Sequence, residues 1–347
     1  MSALRNIVVK SSTPASEEPS SKDDAAPKLV DAPPGKPGKL ESRFADATFR
    51  SLVIACGLSV LAIVGLIVYE LVTRSGLSLH KFGFKFLTTS IWDPVAEQFG
   101  ALPAIYGTVV SSLLAVALAV PLSLGTALFI TEICPRRLRG MLSLAVEMLA
   151  AIPSVIYGLW GIFVLAPLLR FYVEPWLGRY FGWTGLFTGP KYGIGMLAAG
   201  IILAIMILPI IASITREVVL AVPQHQREAA LALGATKWEV LRMAVLRNAR
   251  AGIMGAVILG LGRALGETMA VTMLIGNRPE ISKSLFAPGY TLASVIANEF
   301  SEATGDVYLS ALVEMALVLF AITLAVNGIA RLMVWSVTRG MPARNLA

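Results

Sequence analysis

Two charged side chains, Arg263 and Glu267, lie within an otherwise apolar run that extends over Ala251–Gly276. The run is about long enough to cross a bilayer, and a charge near its middle costs about 2.5–3.5 kcal/mol on insertion scales. Because the two residues are four positions apart, they would share one face of a helix. The pair indicates that this helix lines a polar pathway through the membrane. The alternative is an internal ion pair that only fixes helix packing.

Three glycines, Gly260, Gly262 and Gly266, accompany the charged pair in the same run. Small residues in a membrane helix allow neighbouring backbones to approach closely. The combination favours a pathway between packed helices, although polarity alone does not say what passes through it.

The composition indicates a helical membrane protein that crosses the bilayer several times. The 347 residues are 56% hydrophobic and only 15% charged, and the mean hydropathy is +0.73, beyond that of an ordinary soluble domain. The net charge of +7 is not gathered on one soluble domain, so nucleic-acid binding is not expected. The two histidines lack metal-ligand spacing, and no catalytic constellation stands out.

Apolar runs predict six transmembrane helices in an all-α fold. Prolines at 121, 153 and 209 fall within these runs, and Pro121 is expected to kink or break its helix. The predicted spans are Ser51–Val72, one from about Tyr106 to Thr131, Met141–Leu169, Tyr192–Thr215, Ala251–Gly276 and Val307–Ala330.

The remaining segments are polar, mixed or basic. Residues 1 to about 42 are rich in Pro, Ser and charged residues and predict a disordered tail. Residues 75–100 and 170–191 carry aromatic residues suited to a membrane interface, and residues 134–139 predict a short basic loop. We therefore divide the chain into a tail with its approach to the membrane (1–50), a first helix with an external segment (51–100), a core of five spans (101–335) and a second tail (336–347).

Charge asymmetry between the connecting segments predicts the orientation. Six spans place both termini on one side, and that side collects 20 of the 29 lysines and arginines. Since basic residues are retained inside, both termini and the 216–250 segment are predicted to be cytoplasmic.

The 216–250 segment predicts a helix, a glycine elbow and a second helix. Pro223 is suited to the start of a helix, and Gly234 is suited to its end. Thr236 and Glu239 have the spacing of a capping box that begins the second helix. The segment is either a helix pair that lies on lipid or a docking element for a partner.

The spacing Glu228-Ala229-Ala230, with a glycine at 234, resembles the EAA loop of ABC importer permeases, although the end of that loop departs from the pattern at Ala244 and Arg247. Several other stretches are similar to the PstC family, the permease subunits of phosphate importers. These stretches are Phe82–Pro94, Gly100–Thr108, Ala150–Gly161, Gly260–Val271 and Ala297–Phe300.

The resemblance implies a type I ABC importer permease core in a bacterial inner membrane, and a subunit that is not itself an enzyme. It implies a sister permease PstA, two copies of the ATPase PstB and a phosphate-binding protein PstS. The chain contains no phosphate-binding loop of the Gly-x-x-x-x-Gly-Lys type, so ATP would be bound by the partner ATPase and no cofactor by this chain. The ATPase would act through Glu228, Ala229, Ala230, Gly234, Thr236 and Glu239.

With phosphate as the substrate, Arg263 gains a specific role. Arginine is always charged and grips an oxyanion with two donors, so we expect Arg263 to contact phosphate in transit. Glu267 would hold the guanidinium between transport events and favour release, and Thr268 and Thr272 would supply hydroxyl donors.

Other functions remain open at this point. The same architecture could carry another oxyanion such as molybdate or sulfate, or the chain could be a membrane sensor or scaffold for phosphate status, or a gated channel. Two further carboxylates in predicted spans, Glu147 and Glu314, either line the path or have local roles.

Overall fold

The computed structural model describes residues 39–338. The predicted disordered tail lies outside the described residues apart from its end, where the first helix begins, and the second tail lies mostly outside them. Contacts divide the chain into two units, up to Leu61 and from Ala62 onward. The first unit contributes the beginning of α1, and the elements after α1 belong to the second unit.

The structure is almost entirely helical, with one two-stranded antiparallel hairpin that pairs Trp92 with Phe99. Several long helices contain π-helical turns, at residues 129–133, 161–165, 169–173 and 241–246. In chain order the elements are α1 (Lys39–Arg74), α2 (Gly76–Phe82), α3 (Lys85–Thr88), β1 (Trp92–Asp93), β2 (Gln98–Phe99), α4 (Leu102–Leu128), α5 (Arg136–Ala150), α6 (Ser154–Trp160), α7 (Ala166–Leu168), α8 (Glu174–Phe181), α9 (Met196–Leu220), α10 (Gln224–Ala232), α11 (Lys237–Val240), α12 (Arg247–Leu265), α13 (Met269–Leu274), α14 (Leu292–Glu299) and α15 (Asp306–Thr338).

Six helices among the described residues are long and apolar enough to cross a membrane, which confirms the predicted number. These candidate spans are Asp46–Arg74, Leu102–Ile133, Ser154–Thr184, Met196–Leu220, Lys237–Leu265 and Asp306–Trp335.

The third span differs from its prediction at both ends. It begins at Ser154 rather than Met141, because α5 ends at Ala150 and Pro153 has the extended backbone (φ −58°, ψ 141°) of a residue that precedes a helix. It also continues to Thr184, so the predicted loop at 170–191 is mostly helical. Apolar runs reveal hydrophobicity but not the point at which the chain turns.

Two further findings concern the predicted basic loop, and the prolines at 121 and 209, of which Pro121 does not break its helix. The predicted basic loop at 134–139 is wrong, because Arg136 already belongs to α5. Pro121 and Pro209 lie inside α4 and α9, which continue through them. A proline removes one backbone donor, and here the side chains of two tightly packed helices hold each segment helical.

The packing of α4 and α9 with α12 forms a continuous apolar core, whose buried members include Ala115, Ile207 and Ala256. Small residues allow this close contact: a Cβ built at Gly260 would lie 2.8 Å from Ile211. This core supports α12, which carries Arg263, against α4 and α9.

The hairpin is joined to the helices beyond it by a carboxylate. Glu299 accepts hydrogen bonds from the Trp92 indole (2.7 Å), the Tyr308 hydroxyl (2.7 Å) and the Tyr290 hydroxyl (3.0 Å). Burial raises the pKa of Tyr290, so its hydroxyl keeps the proton that it donates. The network fixes the segment before α4 against α14 and α15.

Candidate functional site

The predicted pathway residues lie where α12 ends and α13 begins. α12 stops at Leu265, Gly266 caps it, and α13 starts at Met269 after a two-residue turn. The fifth span therefore does not extend to Gly276 as one straight helix. Glycine is a poor helix former, and the charged residue that follows it leaves the helix at this corner.

Arg263 is exposed and lies in the last turn of α12. A cation in this position interacts favourably with the carbonyl end of the helix. Within residues 39–338 it forms no ion pair. The predicted pair with Glu267 on one helix face is therefore not present in this conformation.

Glu267 is buried, with 9% of its surface exposed, and its carboxylate lies at the start of α13. One carboxylate oxygen is 3.5 Å from the backbone N–H of Ala270. Because a helix start presents unpaired N–H groups, the negative charge stabilises α13 at its first turn.

The two threonines follow the same corner. The hydroxyl of Thr272 donates to the carbonyl of Thr268 (2.8 Å), and the amide of Asn277 donates to the carbonyl of Thr272 (3.0 Å). Both threonines are partly buried. The corner thus brings Arg263, Glu267 and Thr268 into one short stretch, with Thr272 one turn further along α13.

Glycines on the third span determine how closely α13 approaches it. A Cβ at Gly158 would lie 3.3 Å from the Cα of Ala270 and would overlap the sulfur of Met273, and a Cβ at Gly161 would overlap Leu274. The role of these glycines was not predicted. Their spacing of three residues, which places both on one helix face, was the available signal.

The predicted helix–elbow–helix segment is confirmed in detail. α10 ends at Ala232, and Gly234 has a left-handed backbone with φ of +82°. The backbone N–H of Thr236 donates to Glu239 (2.7 Å), and the Glu239 N–H donates to the hydroxyl of Thr236 (3.4 Å), which is the predicted capping box.

The second helix of this segment has no boundary with the fifth span. α11, a π-helical turn and α12 form one helix over Lys237–Leu265. The prediction that the polar segment extends as a separate unit to Arg250 is therefore wrong. The basic residues at its end do not stop the helix, since Lys and Arg are good helix formers.

The elbow presents an exposed surface. Glu228 and Ala229 are exposed, Ala230 is partly buried, and the large side chains of Leu233 and Trp238 are 89% and 64% exposed. Large apolar side chains exposed on one short segment are typical of interaction surfaces.

Arg227 connects α10 to the body of the protein. Its guanidinium lies 2.7 Å from Glu132 at the end of the second span and donates to the carbonyl of Val219 (2.9 Å). The amide of Asn248 also donates to Gln226 on α10. These polar ties join three segments distant in sequence, and no local pattern indicated them.

Glu147 and Glu314, whose roles the sequence did not decide, have different surroundings. Glu147 forms an ion pair with Arg216 (3.0 Å). Glu314 is buried, with 3% exposed, and borders an apolar cavity of about 690 Å³. Among residues 39–338, no group of three or more His, Cys, Asp or Glu could hold a metal ion.

Solved structures share the fold. A bacterial ABC transporter involved in the import of the acidic polysaccharide alginate matches with a TM-score of 0.55 at 17% identity, over 84% of this chain and 98% of that one. The MetNI methionine ABC transporter in an inward-facing conformation matches with a TM-score of 0.50 at 18% identity, over 68% of this chain and 94% of that one.

The six spans and this fold are shared with permeases of ABC importers. The sequence profile of binding-protein-dependent transport system inner membrane components matches residues 119–339, more than half of the chain. Proteins named phosphate transport system permease protein PstC are similar over nearly the whole chain: that of Mesorhizobium japonicum is 53% identical (84% of this chain, 91% of that one), and that of Haemophilus influenzae is 46% identical (83% and 93%). The chain belongs to the PstC family of transport permeases.

Proposed function

We propose that the chain is the permease subunit of an ATP-driven phosphate importer, and that it forms the translocation pathway together with a sister permease, PstA. Two copies of the ATPase PstB bind ATP and hydrolyse it, and PstS delivers phosphate. The complex lies in a bacterial inner membrane with both termini of this chain in the cytoplasm. The observation that carries the proposal is the 53% identity over 297 residues to a relative named as a phosphate transport permease.

Arg263 is the residue that we assign to phosphate. Inorganic phosphate is an anion at neutral pH, and moving it through hydrocarbon without compensation is prohibitive. An arginine supplies a permanent charge and a planar set of donors. In the described conformation no carboxylate within residues 39–338 engages Arg263, which supports a ligand-binding role rather than a purely structural ion pair.

The residues that follow Arg263 at the corner after α12 have proposed roles toward phosphate. Glu267 pairs with Arg263 in another state of the transport cycle and weakens phosphate binding there, as conduction requires; in the described conformation it is buried at the start of α13 and forms no such pair. The hydroxyls of Thr268 and Thr272 offer phosphate additional donors. Thr272 already donates to a backbone carbonyl, so it reaches phosphate only by exchanging that partner.

The elbow carries the movement of the ATPase subunits to the membrane helices. Closure of the two ATPase subunits moves a surface made by Glu228, Ala229, Ala230 and Gly234, together with the capping box of Thr236 and Glu239. Exposure of Leu233 and Trp238 beside these residues supports docking of a protein.

The decisive experiment is ATP-dependent uptake of radiolabelled phosphate into proteoliposomes that contain this chain with PstA, PstB and PstS. Arg263→Gln is compared with Arg331→Gln, which removes the same charge from an exposed position on α15. We expect uptake to be lost only in Arg263→Gln and to be insensitive to excess molybdate or sulfate. Normal uptake by Arg263→Gln contradicts the pathway, and uptake of molybdate or sulfate in place of phosphate assigns another substrate. ATP hydrolysis without uptake of any anion favours a sensor.

A further inference from the structure

A second positively charged site lies away from the α12–α13 corner, where the second span ends. A cavity of about 300 Å³ opens there between the end of the second span, the first turns of α5 and the end of α9. Its lining residues are Ile130, Thr131, Arg136, Arg139, Gly140, Ser143, Arg216 and Leu220.

Three arginines face this cavity from two separate helices, Arg136 and Arg139 from α5 and Arg216 from α9. Two carboxylates contact Arg216, Glu147 at 3.0 Å and, more weakly, Glu217 at 3.8 Å, and the nearby Glu132 pairs with Arg227. Within the described part of the chain, neither arginine of α5 forms an ion pair. The cavity therefore has an excess of positive charge.

Two guanidinium donors beside the cavity have no partner among the described residues. Arg139 gives one terminal nitrogen to the carbonyl of Thr131 (2.6 Å), whereas its Nε and the Nε of Arg216 are shielded from solvent without a partner in residues 39–338. Burial of a donor without an acceptor is unfavourable, so a ligand that brings acceptor oxygens would be stabilised here.

The start of α5 adds to the positive potential. Its cap is Pro135, which has no side-chain oxygen to accept from the first N–H groups of the helix. The unpaired N–H groups at a helix start carry a partial positive charge. Arg136 and Arg139, one turn apart, place two guanidinium groups beside that helix end.

We propose that this cavity binds the phosphate group of an anion at the membrane surface. The phosphate belongs either to the headgroup of an anionic phospholipid or to free inorganic phosphate, and the same chemistry recognises both: arginine forks and a helix start around tetrahedral oxygens. The site is distinct from Arg263, which lies at the far end of α12 from the elbow.

The position of the cavity gives the site a consequence for the elbow. Arg216 lies one turn before Val219, whose carbonyl accepts from Arg227 of α10. An anion bound in the cavity would hold the end of α9 in place. The hydrogen bond from Arg227 to the Val219 carbonyl attaches α10 to that end. The site therefore combines anion recognition with the anchorage of the coupling segment.

The test uses the transporter purified with its sister permease and ATPase in neutral detergent. In one arm, native mass spectrometry measures binding of phosphatidylglycerol, with phosphatidylcholine as the uncharged reference. In the other arm, equilibrium binding of radiolabelled inorganic phosphate is measured in an Arg263→Gln background, so that the proposed pathway does not contribute. This second arm keeps failure of the cavity site separate from failure of the transport pathway.

The variant Arg139→Gln removes one lining arginine, and Arg137→Gln is its matched control, because Arg137 is exposed on the same turn but does not line the cavity. Loss of a hydrogen bond to a charged group weakens binding about tenfold, and we expect this loss for Arg139→Gln in at least one arm, with Arg137→Gln close to wild type. Lipid binding alone identifies a headgroup, and phosphate binding alone identifies the free anion.

Absence of binding in both arms overturns the proposal, as does an equal loss in Arg137→Gln, which would indicate a diffuse basic surface. If Arg139→Gln fails to assemble, Arg136→Gln decides the question. Arg136 is exposed and has no ion pair within residues 39–338, so its loss does not remove a packing contact.

Discussion

The guanidinium of Arg227 on α10 lies 2.7 Å from the carboxylate of Glu132 at the end of the second span, and both side chains are mostly shielded from solvent, with 22% and 27% exposed. This pair connects the exposed elbow to a membrane helix 95 residues earlier in the chain. The pair gives α10 a direct connection to the second span, in addition to its connection along the chain to the fifth.

Arg227→Gln is expected to reduce coupling. If the pair contributes about 1 kcal/mol, phosphate taken up per ATP hydrolysed falls by about fivefold, because α10 moves without carrying the second span with it. Parallel assays of uptake and ATP hydrolysis measure the ratio. The control is Lys237→Gln, which removes an exposed charge from α11. The exchanged double variant Arg227→Glu with Glu132→Arg should recover part of the ratio, and an unchanged ratio in Arg227→Gln would rule the link out.

Arg263→Lys separates charge from geometry at the proposed pathway. Lysine keeps the positive charge but lacks the planar set of donors that holds an oxyanion in two places. We expect the KM for phosphate uptake to rise by about tenfold, with less loss of maximal rate than in Arg263→Gln. Uptake is measured over a range of phosphate concentrations, and a wild-type KM in both variants would show that Arg263 does not touch phosphate.

Gly234→Ala tests whether the elbow needs a left-handed residue. An added Cβ at Gly234 meets nothing within 4 Å, so the change acts through the backbone, whose φ of +82° costs a residue with a Cβ about 1–2 kcal/mol. We expect lower uptake per ATP, with Gly234→Asn less affected because asparagine tolerates this conformation.

The matched control for the elbow is Gly255→Ala on α12, where a Cβ also meets nothing within 4 Å and the backbone is helical. Its uptake per ATP should equal or exceed that of wild type. Equal behaviour of the two alanine variants would mean that the elbow does not require glycine.

Gly158→Val tests the contact between α6 and α13. The new side chain meets the backbone of Ala270 and the sulfur of Met273, and overpacking of this kind costs about 1–3 kcal/mol. We expect a lower midpoint of thermal unfolding of the purified complex and reduced uptake, since α13 carries Thr272. Gly125→Val on α4 is the control because a Cβ there meets nothing within 4 Å, and equal midpoints for the two variants would contradict the close contact.

The sequence predicted those features that depend on local chemistry. The capping box of Thr236 and Glu239 needs only two residues at a fixed spacing, and the left-handed turn at Gly234 needs only one. The number of spans follows from hydropathy, because each long apolar run must be buried either in a bilayer or in a protein core.

Features that depend on packing between distant segments were not predictable in this way. The end of α12 at Leu265 leaves no trace in hydropathy, because the apolar run continues through α13. Pro153 separates two helices whereas Pro121 and Pro209 do not, and the difference lies in what surrounds each proline. The cluster of Arg136, Arg139 and Arg216 required the end of α9 to meet the start of α5.

The continuous helix over Lys237–Leu265 has the elbow at one end and Arg263 at the other. At 1.5 Å per residue its arm measures about 40 Å, so a tilt of about 10° about the elbow would sweep the arginine through about 7 Å. The helix stays continuous through the π-helical turn at residues 241–246. An event at the elbow and one at Arg263 are then coupled through the displacement of one continuous helix.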